Sequence, residues 1–121
     1  MINIYEYIDG DRIKVKNLSF GDIIAGQTKI EKKICISPDS DVYRLELELV
    51  YPKGIIVEVD GNNVKMEEKV PVKAENGENR IIGGAFSEDI NLSVSSEKDI
   101  SDVFPSITFK WSYLRTITEI G

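Results

Sequence analysis

The segment YRLELELVY, residues 43–51, places Tyr43, Leu45, Leu47, Leu49 and Tyr51 at every second position, with Arg44, Glu46 and Glu48 between them. Successive side chains of a strand point to opposite faces, so this spacing describes a ribbon with one apolar and one polar face. A helix of 3.6 residues per turn would scatter the same leucines around its circumference. The alternation therefore outweighs the good helix propensity of leucine, and it commits the chain to a sheet with one face buried and one wet.

The same period recurs along the chain. TKIEKKICIS sets Ile30, Ile34 and Ile36 on one face with Lys32, and Glu31, Lys33, Cys35 and Ser37 on the other. SITFKWSY predicts Ile107, Phe109, Trp111 and Tyr113 inward, and DINLSVS predicts Ile90, Leu92 and Val94 inward. GIIVEVDGNNVKME reads as two short strands around Asp60-Gly61. Asp9-Gly10, Pro38 to Asp41, Pro52 to Gly54 and Asn76-Gly77 supply the turn residues between runs, the spacing of an antiparallel sandwich or barrel. Gly83-Gly84 interrupts RIIGGAF and predicts a bulge or a change of sheet. SSEKDISDVFP has room for one helical turn but reads as a loop.

With 121 residues the chain is long enough to enclose one core, and a single domain over 1–121 is expected. Within it, residues 1–13 read as an N-terminal arm or hairpin, 14–114 as the body, and 115–121 as a tail. The arm carries Ile2, Ile4 and Ile8 on one face and Tyr5 and Tyr7 on the other, and the tail carries Leu114, Ile117 and Ile120. These eight residues are the candidate protein-interaction residues, because they give the ends more apolar surface than a free terminus normally exposes.

The chemistry-bearing residues are few. There is no histidine, which removes the usual general base, the usual near-neutral switch and the commonest transition-metal ligand together. Cys35 is the only cysteine, so no intramolecular disulfide or thiolate cluster forms, and its place within an alternating strand marks it as structural. Glu46 and Glu48 lie two residues apart on one face, a carboxylate pair within geometric reach of acid–base chemistry; their alternation with leucine favours a solvated outer face. Asp9 with Asp11, Asp39 with Asp41, and Asp60 with Asn62 are oxygen ligands of the type calcium takes, yet none has the spacing of a calcium loop. Tyr5, Tyr7 and Tyr51 are the candidate sugar- or protein-binding aromatics, whereas Trp111 beside Phe109 reads as core. No catalytic residue, cofactor or metal site is expected. The net charge of −6 disfavours nucleic acid and anionic lipid as partners.

NLSFGDIIAGQTKIEKKICIS resembles the opening of bacterial and viral immunoglobulin-like domains, and VPVKAENGENRIIGG, DINLSVSS and FPSITFKWSY resemble their last three strands. The resemblance implies an all-β, immunoglobulin-like antiparallel sandwich of about seven to nine strands without a disulfide. Stand-alone domains of this kind look like bacteriophage virion components such as capsid-decoration or tail proteins. That family implies a structural protein that binds itself or a major capsid or tail protein, forms a homo-oligomer or larger assembly, and performs no catalysis. The start MINIYEYIDGD lacks the basic region and apolar run of a secretory signal, so synthesis in a bacterial cytoplasm followed by virion association is expected. The alternatives are a carbohydrate- or cell-surface-binding module and, behind it, a carboxylate-dependent hydrolase.

Overall fold

The computed structural model describes residues 1–16, 18, 29–51, 53–96 and 107–115. Residues 19–28, residues 97–106, on which most of the segment expected to be a loop falls, and residues 116–121 with Ile117 and Ile120 lie outside these residues. Among the described residues there is no helix, and every strand pairing is antiparallel. The strands are β1 (Ile2–Ile8), β2 (Asp11–Val15), β3 (Ile30–Pro38), β4 (Val42–Val50), β5 (Ile55–Val59), β6 (Asn62–Asn63), β7 (Lys69–Pro71), β8 (Arg80–Ile81), β9 (Ile90–Ser96) and β10 (Thr108–Leu114). Ten strand segments are present among the described residues, where the resemblance implies about seven to nine; β6, which follows Asp60-Gly61 as GIIVEVDGNNVKME suggests, and β8 are ladders of two residues each.

Six strands form one sheet in the order β2-β1-β3-β9-β5-β6. A second sheet runs β10-β4-β7, with β8 also paired to β4. Ile34 and Ile36 of β3, Val57 and Val59 of β5 and Ile90, Leu92 and Val94 of β9 join Val42, Leu45, Leu47 and Leu49 of β4 in one buried cluster. Both sheets thus turn an apolar face to the same core, and each fully buried aliphatic side chain contributes about 1.5–3 kcal/mol of transfer free energy. Phe109, Trp111 and Tyr113 of β10 pack half-buried against this core.

Two departures from simple alternation matter. Val42 and Leu45 are both buried although three residues apart, while Tyr43 is only half-buried and lies beneath the Arg80 guanidinium at 5.6 Å. The cause is a bulge: Ser112 pairs with Glu46 but Leu114 pairs with Tyr43, so β4 carries one extra residue at Arg44, whose φ is 52°. The inward placement of Tyr43 expected from YRLELELVY is therefore corrected, because the bulge shifts the phase by one and hands the core position to Val42.

Gly83 and Gly84 mark a change of sheet. Arg80–Ile81 pairs with β4 in one sheet, and by Ser87 the chain donates to the Ile36 carbonyl in the other. The crossing passes so close to the 38–42 turn that a Cβ on Gly83 would lie 2.8 Å from the Asp39 carbonyl oxygen. β1 is an inner strand of the larger sheet, paired to β3 from Ile2↔Pro38 to Glu6↔Ile34, and the division drawn between residues 13 and 14 falls within β2.

Candidate interaction surface

The hairpin β1–β2 presents its two faces differently. Its turn, Asp9-Gly10, has φ of 51° and 86°, the left-handed pair that a two-residue hairpin of right-handed twist requires. On the face turned towards the core, Ile2 and Ile4 pack half-buried against the cluster. Beyond them Glu6 receives a hydrogen bond from Lys32 Nζ at 2.7 Å, closing the polar end of the apolar face. Past that pair the face is open: Ile8 is 47% and Ile13 44% exposed.

The opposite face of the hairpin is a clamp. Tyr7 donates to Asp89 Oδ1 at 2.5 Å and accepts from Arg12 Nε at 3.0 Å, and Arg12 also donates to Glu75 Oε1 at 2.8 Å. The Arg12 guanidinium stacks 4.0 Å from the Phe86 ring centroid, and Phe86 meets Tyr5 edge-on at 5.1 Å. These contacts pin the 73–89 segment onto β1 and β2. Burial first, then donation to Asp89, pushes the Tyr7 phenol up to about 12, and the bond to Tyr7 chiefly raises Arg12. Beneath them Cys35 is fully buried, and burial pushes its thiol up, with Tyr7 and Arg12 only partly offsetting this. A thiol and a phenol both held in their neutral forms are poorly suited to nucleophilic or general-base work at neutral pH.

The remaining candidates are occupied by the fold. Glu48 lies half-buried between Lys69 and Lys110 across the sheet, and Glu46 between Pro71 and Ser112. Asp39 accepts from Asn3 Nδ2 at 2.8 Å; Asp41 accepts from the Gly83 amide and Arg80, which together hold its carboxyl below the usual range; Asp60 accepts from the Asn91 amide. Among the described residues no three carboxylates or thiols converge on a point. Tyr51 is half-buried and donates to the Val64 carbonyl at 2.8 Å, so its hydroxyl serves a turn. An open recess of about 460 Å³ on the outer face of β3, β9 and β5 includes Glu31, Ser93 and Glu58 in register, but Lys29 already neutralises Glu58.

Of the eight residues marked by the sequence, Ile2, Ile4, Tyr5 and Tyr7 are half-buried in contacts within the chain, and Ile8 and Leu114 are 47% exposed. Ile117 and Ile120 lie outside the described residues. Sequence reading missed Ile13, although its alternation with Arg12 and Lys14 signals a strand face. The clamp joins Tyr7 and Arg12 to residues more than 60 positions away and left no local signal. No helix among the described residues is long and apolar enough to cross a membrane. No protein-family model, no curated protein and no solved structure matches the chain.

Proposed function

We propose that the chain is a non-enzymatic interaction module, a structural or assembly protein that docks on other proteins through the exposed apolar residues and strands at its sheet edges. The observation that carries this reading is the pairing of exposed aliphatics with edge strands: Ile13 on β2, Ile8 beside it, and Leu114 on β10. Unpaired edge groups bind extended segments, and exposed aliphatics next to them add buried area when a partner arrives. The narrower assignment, an immunoglobulin-like sandwich serving as a bacteriophage capsid-decoration or tail protein, is supported by the strand pattern of residues 14–114 and is compatible with two sheets around one core.

Sedimentation velocity of the full chain, alone and mixed with the products of its neighbouring genes, tests this. The reading expects a complex that Ile8→Lys combined with Leu114→Lys weakens more than tenfold while the thermal midpoint stays in place. A strictly monomeric protein that binds none of those products overturns it. Removing residues 1–11 is not an equivalent test, because it deletes β1 from the middle of the hydrogen-bonded order.

A further inference from the structure

The phase of the β1–β2 ladder fixes which backbone groups of β2 face outward. A two-residue turn of left-handed conformation closes on a hydrogen-bonded pair, here Ile8↔Asp11. Bonded pairs then recur at Glu6↔Ile13 and Ile4↔Val15, so the N–H and C=O of Arg12 and Lys14 point away from β1. The rest of the sheet agrees with this phase: it makes Tyr5↔Cys35 a bonded pair and turns Ile36 away from β1, where its carbonyl accepts from the Ser87 amide at 2.9 Å. Among the described residues β2 ends the strand order, and Asp11 to Lys14 are all exposed.

The side chains along this edge alternate as strictly as its backbone. Arg12, Lys14 and Lys16 are cations, and Ile13 and Val15 between them are aliphatic. Arg12 is committed to Tyr7 and Glu75, whereas Lys14 and Lys16 are exposed and make no ion pair among the described residues. Pairing of β2 with its own copy sets cation against cation in each antiparallel register that uses the free groups: Arg12 meets Lys14 when centred on Ile13, and Lys14 meets itself when centred on Lys14. Like charges directly opposite are destabilising, so the edge selects against a second copy.

We propose that the β2 edge binds an extended protein segment in which carboxylate and aliphatic side chains alternate, added antiparallel as a further strand. Its backbone bonds to Arg12 and Lys14; its carboxylates lie beside Lys14 and Lys16 on one face, and its aliphatics cover Ile13 and the neighbouring Ile8 on the other. Asp9 and Asp11 at the turn repel acids there, which places the acidic residues towards Lys16 and sets the register. This inference rests on the assembly reading and names the chemistry of one partner surface.

The probe is a capped peptide of sequence Val-Glu-Val-Glu-Val-Glu-Val, titrated into the isotopically labelled full chain, with a Lys-for-Glu peptide as control. The proposal expects shifts and at least tenfold slower exchange at the Arg12 and Lys14 amides, binding that falls with added salt, and at least tenfold weaker binding to Lys14→Glu at an unchanged melting temperature. Equal binding of the acidic and basic peptides, or amides 12 and 14 left unperturbed, overturns it. Shifts at these amides that appear on raising protein concentration alone also overturn it, in favour of a second copy. A complex with neighbouring gene products that Leu114→Lys abolishes and Lys14→Glu leaves intact refutes the edge proposal while the assembly reading stands.

Discussion

Replacing Arg44 by glycine is expected to stabilise the protein, a result no list of contacts would suggest. Arg44 sits in the β4 bulge with φ of 52°, where the Cβ of an L-residue crowds the following carbonyl at a cost of about 1–2 kcal/mol. Its side chain is exposed and makes no ion pair among the described residues, and its amide donates to the Asn79 carbonyl at 2.8 Å, a bond that glycine retains. Glycine recovers the steric cost but brings a freer unfolded chain, which takes back about 0.5–1 kcal/mol. The net expectation for Arg44→Gly is about 0.5–1 kcal/mol of added stability, or a midpoint rise of roughly 2–5 °C for a domain of this size. Urea unfolding and calorimetry read both, with Arg44→Ala as the control that removes the side chain but keeps the strain. If Arg44→Gly is destabilising, or if Arg44→Ala matches its gain, the strain argument is wrong and Arg44 contributes through its side chain.

Three further outcomes follow from the packing and the titrating groups. Gly83→Ala should cost about 1–3 kcal/mol, because its Cβ meets the Asp39 carbonyl and Ser40 Cα at 2.8 and 2.9 Å and both are backbone; a neutral result in chemical unfolding would show that the 38–42 turn yields. Tyr7 has its phenol raised from 10.0 to about 12, so the folded state holds the proton more tightly than the unfolded one; the stability this gives is complete below pH 10 and is lost as pH rises towards 12. Tyr7→Phe should remove both that alkaline loss and a tyrosine step near pH 12 in an ultraviolet titration, and a step near pH 12 that survives the substitution would contradict the clamp. The Cys35 thiol, buried and raised, should react with a disulfide reagent only at the rate of unfolding, whereas fast native-state labelling would place it at the surface.

The sheets were legible in the sequence to the extent that alternation was unbroken. Leu45, Leu47, Leu49, Ile34, Ile36, Leu92 and Val94 are all core residues, and each came from a period-two run. Tyr43 was misplaced because a bulge adds one residue without altering composition: Arg44 is as ordinary a residue for a regular strand as for a bulged one. The ends were harder. Ile2 and Ile4 looked unpartnered because β1 finds β3 more than 30 residues away, a pairing no local pattern encodes. The outer face of β1 carries Tyr5 and Tyr7 for an equally remote reason, the 73–89 segment that covers them. What the sequence did hold, and only the ladder phase made readable, is the alternation of Arg12, Ile13, Lys14, Val15 and Lys16 along an edge.

The claim that this protein works by contact at its sheet edges is tested most directly by hydrogen–deuterium exchange of the full chain, free and within its assembled complex. The account predicts new protection over residues 11–16 or around Leu114, with exchange across Glu46–Glu48 and the Glu31, Ser93 and Glu58 recess unchanged. Protection confined to either of those outer faces, with both edges exchanging as in the free chain, would contradict it.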